Sequence, residues 1–405
     1  MNRSAITPKL LLEIVKEKHE LLPGIMIQTD IDCWIVFIRE TASCPDSVQN
    51  LVIGGDVVWE SAFIFSNKNG CFSKTAIVGA LDVDAEDAKG IWDEVTGYKS
   101  GISNVLSRIV TKINPKSIAL NFSEDDATAD GLSYGMFLKI SKILPSFIDK
   151  YSSAKVLIQK LRSIKTSTEI SLVKDAIVLA EEINVKVQGK LKPGMSESDI
   201  QKLYHEKMEQ NGVTGAWQKV SCPAVDAGPD KMIGHIGPGD LKIKKGHTLH
   251  VDFGVQLNGY CSDIQRMCFF GRKHDLPDEL DHAFKTVHGA ITRASEFIKP
   301  GVQGFEVDKV ARDFVVLRGY DEYEHALGHQ MGIKAHDGGA LLAPKWERYG
   351  DLPDGVIQSG NIFTLELYVK TANFGMVSLE EDIIVTPDGC LFLTPRQDDW
   401  IYIEE

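Results

Sequence analysis

The sequence Val251-Asp-Phe-Gly-Val-Gln-Leu-Asn-Gly-Tyr-Cys-Ser-Asp263 predicts a tight β-hairpin in the second half of the chain. Asn258-Gly259 lies between two strand-like runs. This dipeptide favours a type I′ turn, because such a turn needs positive φ at both central residues. With Leu257 and Tyr260 paired across the turn, the register of the two strands follows.

The hairpin brings two carboxylates together. In the predicted register Asp263 faces Gly254, and Asp252 lies two positions from Gly254 on the same strand and the same face. The two aspartates become diagonal neighbours, roughly 5–8 Å apart at the backbone. Bare charges at that distance would repel, but two divalent ions about 3.5–4 Å apart could be held between them.

The second half of the chain repeats one succession of elements. In each copy a Lys-Pro-Gly turn precedes a helix-like segment, and a later glycine is followed after six residues by an acid in a strand-like run. A second acid follows 11 residues later in one copy and 14 residues later in the other. This order indicates duplication and predicts a pseudo-two-fold domain with a shared central site. The copies comprise Leu191–Met195, Asp199–Gln210, Gly246, Asp252 and Asp263, then Ile298–Val302, Glu306–Leu317, Gly360, Glu366 and Glu380.

The second copy places its acids within apolar runs. Glu366 stands between two leucines, and we expect Ile362–Val369 and Met376–Val385 to pair as strands. An isolated acid on a strand usually faces water, whereas an acid inside a buried run is costly unless a cation pairs with it. Four acids in repeated units therefore favour a two-metal site over a solvated face.

Three histidines within twelve residues add nitrogen ligands: His325, His329 and His336. Gly328 and Gly332 lie among them and permit close backbone approach. The His-x-x-x-His spacing resembles helical zinc sites. However, the glutamate of H-E-x-x-H is missing and the glycines oppose a regular helix, so we reject a zincin site.

Composition excludes several classes of partner. The net charge of −13 over 405 residues disfavours binding to nucleic acid or anionic membranes. No stretch approaches the length of an apolar membrane span, and the N-terminus lacks the apolar core of a secretory signal. Seven scattered cysteines without a C-x-x-C pair indicate reduced thiols, so we expect a cytoplasmic protein.

Two domains are expected, residues 1–160 and residues 161–405. Ten of the 11 histidines fall at position 205 or later, so the first domain is expected to be an α/β scaffold rather than the seat of chemistry. The capping box Thr166–Glu169 begins a long amphipathic helix just after the boundary. The elements expected in the first domain are a helix over Leu10–Leu22 and strands at Cys33–Ile38, Ala62–Phe65, Thr75–Val78 and Ile118–Asn121.

Together these motifs resemble the M24-type creatinase/aminopeptidase, or pita-bread, metallopeptidases. The resemblance covers residues 160–395 and is strongest to Xaa-Pro aminopeptidases and Xaa-Pro dipeptidases (prolidases). It implies an α+β fold with a C-terminal pseudo-two-fold pita-bread domain and a smaller N-terminal α/β, creatinase-like domain. The matching motifs are Val251–Gly254, Gly259–Asp263, Gly328–Gly332 with His336, Thr364–Glu366 and Leu379–Thr386.

The resemblance implies roles for five metal ligands. Asp252 is expected to chelate one ion, and Asp263 and Glu380 are expected to bridge two. His329 and Glu366 are expected to complete the other ion's coordination. The histidines that match substrate-handling positions are His235, His325 and His336.

A reaction is implied as well. Such an enzyme cleaves Xaa-Pro peptide bonds with a metal-bridging hydroxide, and Glu366 would carry the proton from water to the leaving nitrogen. His325 or His336 would donate to the developing oxyanion. An oxygen-rich site with one imidazole favours Mn²⁺, followed by Co²⁺ or Zn²⁺. The resemblance also implies a homodimer that acts on small peptides.

The chain departs from the family at three places. Leu367-Tyr368 follow the first glutamate where the family often has Pro-Gly, and Asp337 follows His336 where it often has glutamate. Ser378 stands where many peptidase members have arginine, so we expect weaker support around the ligands, and proline specificity stays open. Two other readings stay open too. One is another small-molecule enzyme on this fold, such as a creatinase-like hydrolase or a sulfonium-compound lyase, and the other is a binding module without catalysis.

Overall fold

The computed structural model describes residues 2–68, 70–229, 231 and 237–404. The chain divides into two compact units. One unit is Thr7–Arg162, and the other comprises the residues before Thr7 together with Ser163 onward. Within the described residues, no helix is both long and apolar enough to cross a membrane.

The first unit is a mixed sheet with helices. Its elements are α1 (Pro8–Gln28), β1 (Cys33–Ile38), α2 (Gln49–Val52), β2 (Ser61–Lys68), β3 (Cys71–Gly79), α3 (Val83–Asp87), β4 (Glu94–Tyr98), α4 (Ser103–Ile113), β5 (Ile118–Leu120), α5 (Tyr134–Ile143), β6 (Tyr151–Ser153) and α6 (Lys155–Ser163). The strands follow the order β4-β3-β2-β1-β5-β6, and β1 is buried along its whole length. All the strands predicted for this part of the chain are present.

Helix α1 is longer than the sequence predicted. We expected it to end at Leu22, before Pro23, but it continues to Gln28. A proline inside a helix costs about 3 kcal/mol. Ile25 and Met26 beyond it are buried, and full burial of two such side chains contributes roughly 1.5–3 kcal/mol each. Packing therefore outweighs the lost backbone hydrogen bond.

The second unit is built around a larger, mainly antiparallel sheet. Its elements are α7 (Ser167–Gln188), α8 (Glu197–Asn211), β7 (Thr214–Gly215), β8 (Ala224–Ala227), β9 (Thr248–Phe253), β10 (Val255–Leu257), β11 (Tyr260–Cys261), β12 (Ile264–Phe269), α9 (Asp278–Phe297), α10 (Gly304–Leu317), β13 (Ile362–Lys370), β14 (Met376–Val385), β15 (Cys390–Phe392) and β16 (Ile401–Tyr402). The main sheet has the order β13-β14-β12-β9-β8, with β15 beside β14 and β16 beside β12. Strands β11-β10-β7 form a smaller sheet.

The duplication seen in the sequence is present in the fold. Helices α7 and α8 precede the pair β9 and β12, as α9 and α10 precede β13 and β14. Gly246 and Gly360, just before β9 and β13, have φ of 85° and 87°, a left-handed conformation that favours glycine. Their N–H groups donate to the carbonyls of Phe270 and Val385 at the ends of β12 and β14. The two copies thus begin and end their strand pairs in the same way.

The predicted capping box begins α7. The side chain of Thr166 accepts the N–H of Glu169, and the carboxylate of Glu169 accepts the N–H of Thr166. The second oxygen of that carboxylate accepts a hydrogen bond from the hydroxyl of Tyr260 at 3.0 Å. One acid therefore starts the helix and ties the hairpin to it.

The main sheet has one apolar face and one acidic face. On β13, Leu365 and Leu367 are fully buried in the same hydrophobic cluster as residues of α9 and α10. On β14, Val377 and Leu379 belong to that cluster as well. Side chains alternate along a strand, so the intervening Glu366 points to the opposite face. The apolar face anchors the sheet, and the other face is left for polar groups.

His19 should make the protein less stable as the pH falls. Its ring is buried against Phe65 and Trp92 and lies 2.8 Å from the carbonyl oxygen of Val52. Burial lowers the pKa of His19 to about 4 despite the opposing effect of the Val52 hydrogen bond. The unfolded chain, with an ordinary pKa near 6.5, binds a proton that the folded chain does not. The contribution of neutral His19 to the free energy of unfolding is therefore full above about pH 6.5 and is lost as the pH falls toward 4.

Urea unfolding of the wild type and of His19→Gln at pH 7 and at pH 4.5 measures this effect. We expect the wild type to lose about 2.5 kcal/mol more than the variant between these pH values. Equal losses in the two proteins would contradict the assignment.

Candidate metal centre

A transverse row of polar residues crosses the acidic face of the main sheet. Glu366 on β13 pairs directly with Glu380 on β14, and Glu380 pairs with Gln265 on β12. Gln265 pairs in turn with Asp252 on β9. Directly opposed residues of antiparallel strands point to the same face, so three predicted ligands share this face with Gln265.

The hairpin has the register that the Asn-Gly turn predicted. Both turn residues have positive φ, 49° and 82°, and Leu257 pairs with Tyr260 beside them. The same register continues into β9 and β12. It sets Asp252 on β9 and Asp263 just before β12 on one face, as the turn geometry required.

The five predicted ligands converge. Ligand atoms of Asp263, His329 and Glu380 lie within 4.8 Å of one another. His329 Nε2 is 3.8 Å from Asp263 Oδ2 and 3.5 Å from Glu366 Oε1. The side chain of Asp252 is hydrogen-bonded to that of Asp263. Residues separated by more than 100 positions in the chain therefore form one cluster.

Burial and mutual repulsion dominate the electrostatics of the acids. Burial, followed by the charge of Asp252, raises the pKa of Asp263 well above its ordinary value. Burial, followed by the charge of Asp263, does the same to the pKa of Glu380. Burial, followed by the charge of Asp252, raises the pKa of Glu366 to about 8. Such a cluster is fully ionised only when cations balance it.

His329 is in the protonation state that can bind a cation. Burial, followed by the proximity of His336, lowers the pKa of His329 to about 3, so its imidazole is neutral and keeps a lone pair. Glu380 Oε1 is buried and accepts no hydrogen bond from the described residues. Four carboxyl groups with one neutral imidazole form a donor set that fits hard or borderline divalent cations.

Gly328 lets the backbone of His329 approach β13. A Cβ on Gly328 would lie 1.9 Å from the carbonyl oxygen of Thr364. Thr364 N donates to His329 O at 3.0 Å, and His329 N donates to Thr364 Oγ1 at 3.2 Å. The predicted close approach at Gly328 is confirmed, and it aims His329 at the acids.

The remaining predicted histidines fall in different places. The ring of His336 stands edge-on to that of His329, with centroids 4.1 Å apart. His336 therefore borders the ligand cluster directly. His325 lies beside the cluster on the same chain segment. His235 lies outside the described residues.

His325 has a defined tautomer. Its Nδ1 is 2.6 Å from the carbonyl oxygen of Ala326, which can only accept, so Nδ1 carries the proton. Burial lowers the pKa of His325, so the ring is neutral and its Nε2 is an acceptor. Its ring centroid lies 5.2 Å from that of Tyr368, one of the residues at which the chain departs from the family.

Buried polar residues that sequence reasoning missed lie two positions from predicted ligands. Strand side chains alternate, so a residue two positions from an acid on this face points the same way. This period-two spacing was the available signal. The missed residues are His250, Gln265 and Asp382, near Asp252, Asp263 and Glu380. Ser378 has the same spacing, but the sequence indicated it only as a departure from the family.

Comparisons with known proteins show what this chain is similar to. The model of the metallopeptidase family M24 matches residues 171–387. The chain is 32% identical to the "Putative dipeptidase YkvY" of Bacillus subtilis over 76% of this chain and 80% of that protein.

Solved structures share the fold over nearly the whole chain. An X-Pro aminopeptidase from Thermotoga maritima is 24% identical, with a TM-score of 0.70, covering 94% of this chain and 100% of that one. An Xaa-Pro dipeptidase from Bacillus anthracis is also 24% identical, with a TM-score of 0.73, covering 96% of this chain and 99% of that one. The predicted α+β, pita-bread fold class is thereby confirmed.

Replacing Gly328 with alanine should displace His329 and weaken metal binding, because the new methyl group would collide with Thr364. We expect Mn²⁺ affinity, measured by calorimetry on metal-free protein, to fall by about 10-fold or more. Gly135→Ala is the matched control, since a Cβ there meets nothing within 4 Å. Wild-type affinity in the Gly328→Ala variant would contradict this role.

Proposed function

Because the chain belongs to metallopeptidase family M24, we propose that it is a dinuclear metal-dependent exopeptidase that cleaves Xaa-Pro bonds. The observation that carries the proposal is the convergence of His329 with four acids on one sheet face, of which Asp263 and Glu380 are buried and Asp252 and Glu366 half-buried. The names of similar proteins support the substrate class, since they include a dipeptidase, an X-Pro aminopeptidase and an Xaa-Pro dipeptidase.

The donor set suggests how two cations would be shared. The family resemblance implies that Asp263 and Glu380 would bridge the cations, that Asp252 would help to hold one of them, and that His329 and Glu366 would help to hold the other. Oxygen-rich coordination with one imidazole favours Mn²⁺, with Co²⁺ or Zn²⁺ as alternatives. When bound, the cations supply Lewis acidity and lower the pKa of a water enough to provide hydroxide near neutral pH.

The chain's own residues handle the protons. Glu366 is the carboxylate that takes the proton of the attacking water and passes it to the leaving nitrogen. The acceptor Nε2 of His325 suits an N–H group of the substrate rather than an oxyanion. We therefore assign the oxyanion donor to His336, and its removal would reduce turnover by about 10²–10³-fold.

The proposal extends to the setting of the enzyme. All seven cysteines lie in the described part of the chain and are free thiols, as a reducing cytoplasm would keep them. We also propose a homodimer that acts on small peptides and binds neither nucleic acid nor membranes, in keeping with the net charge of −13.

A peptide panel tests the activity. Protein loaded with Mn²⁺ should release the N-terminal residue from Xaa-Pro dipeptides or from longer Xaa-Pro peptides, and matched Xaa-Ala peptides should react more slowly. Cleavage of dipeptides alone would identify a prolidase, and cleavage of longer peptides alone an aminopeptidase. If protein with two bound ions cleaves no Xaa-Pro peptide, the proposal fails, and small metabolites become the substrates to screen.

Asp263→Ala tests the centre itself. Removing the Asp263 carboxylate should abolish binding of both ions and all activity, because this carboxylate would bridge them. The metal-free variant should unfold at the wild-type temperature or above it, because the cluster of mutually repelling acids has one member fewer. The rise in unfolding temperature that Mn²⁺ gives the wild type should disappear.

The exposed-acid variant Asp388→Ala is the control and should keep both ions. Wild-type metal content in Asp263→Ala, measured by elemental analysis, would refute the bridging role.

A further inference from the structure

We infer that Gln265 is a positioning residue whose side-chain amide holds Glu366 so that one carboxylate oxygen faces the ligand cluster. The inference rests on the proposed function, because it concerns a residue of the proposed metal centre. Gln265 Nε2 donates to Glu366 Oε2 at 2.8 Å. Glu366 Oε1 lies 3.5 Å from His329 Nε2. The two oxygens of the Glu366 carboxylate therefore have different partners. Oε2 accepts a hydrogen bond from Gln265, and Oε1 lies near His329 in the ligand cluster.

The orientation of the Gln265 amide is set by the partners of its oxygen. Its oxygen accepts a hydrogen bond from the hydroxyl of Ser378 and lies 3.0 Å from His250 Nε2. With the oxygen engaged on that side, the NH₂ group is left to face Glu366. Gln265, Ser378 and His250 are only 6%, 4% and 7% exposed, so a broken hydrogen bond could not be replaced easily by water.

The contacts that hold the Gln265 amide extend to β8, the last strand in the order given for the main sheet. His250 Nδ1 donates to Asp226 Oδ2 at 2.9 Å, and these residues are a directly opposed pair of β8 and β9. A continuous series of contacts thus runs from Asp226 on β8 through His250 and Gln265 to Glu366 on β13. Each member is fixed by strand pairing as well as by its side chain, which limits how far Glu366 can turn.

A neutral amide suits this position. Gln265 pairs with Asp252 as Glu380 pairs with Glu366, so Gln265 takes the place in the first copy that Glu380 takes in the second. Another carboxylate there would add to the buried repulsion, and a cationic side chain would compete with metal ions for the acids. The amide supplies an N–H donor without charge.

Ser378 takes part in the same support. It occupies the position where the family resemblance led us to expect arginine, and we predicted weaker support as a result. The hydroxyl of Ser378 instead hydrogen-bonds the Gln265 amide, which in turn holds Glu366. The side chain of Glu366 is therefore held through the uncharged side chains of Gln265 and Ser378.

Gln265→Leu tests the inference, because leucine keeps much of the volume and removes the amide. Calorimetric titration of the metal-free protein with MnCl₂ should show one of the two ions bound about 10–100-fold more weakly. The affinity for the other ion should stay near the wild-type value. The electron paramagnetic resonance signal of a coupled Mn²⁺ pair should therefore appear only at higher Mn²⁺ concentration than in the wild type.

Three further variants separate positioning from general damage. Ser378→Ala should lower the affinity for the same ion by a smaller factor. Ser378→Thr should bind that ion with an affinity near the wild-type value, because the hydroxyl is kept. These variants also serve if Gln265→Leu fails to fold. The matched control is Gln201→Leu, which removes a glutamine that donates to the carbonyls of Val220 and Pro223, and it should leave both affinities unchanged.

Two results would overturn the inference. One is wild-type affinity for both ions in Gln265→Leu and Ser378→Ala, and the other is an equal loss at both ions. These readouts do not depend on the peptidase assay. If wild-type protein binds two ions but cleaves no Xaa-Pro peptide, the proposed function fails while the selective loss at one ion still supports the role of Gln265.

Discussion

Repulsion among buried carboxyl groups is the constraint on which the rest of this molecule depends. Moving one ion from water into a protein interior costs several kcal/mol even after relaxation. Here Asp252, Asp263, Glu366 and Glu380 share one face of a sheet. The opposite face compensates, because its apolar side chains pack against α9 and α10 behind β13 and β14, and against α7 and α8 behind β9. The fold therefore holds mutually repelling acids close together, and bound cations would relieve that repulsion.

Duplication explains how such an arrangement is built. One strand pair contributes two acids to its inner face, and a second copy contributes two more. The copies are not identical: Glu366 and Glu380 oppose each other directly, whereas Asp252 opposes Gln265. That difference leaves a neutral donor in the middle of the acidic row. The candidate centre is thus built from two similar strand pairs, one of which has an amide where the other has an acid.

The histidines add asymmetry to this two-fold frame. They come from the segment between α10 and β13, where Gly328 permits contact with the backbone of Thr364. His329 faces the acids as a neutral ligand, and His336 borders it. His325 uses its Nδ1 to bond a backbone carbonyl. His329 and His336 therefore add imidazole groups to a cluster otherwise made of acids.

Much of the fold and of the candidate centre could be predicted from the sequence, because the signals are local. The Asn-Gly turn set the hairpin register, the Thr166 capping box set the start of α7, and repeated glycines marked both strand pairs. Family motifs then pointed to the five residues that converge. The helix end at Pro23 was misjudged because distant packing decided it.

Only the tertiary structure decided which side chains meet across β12, β14 and β13. Gln265 and Glu366 lie 101 positions apart, and Gln265 and Ser378 lie 113 apart. No local rule encodes the pairing of strands from different copies. The tautomer of His325 likewise depends on the place of one carbonyl oxygen. The sequence by itself determined which acids and histidines to expect in the candidate centre, and the fold determined their partners, because hydrogen bonds between distant strands exist only once the sheet has formed.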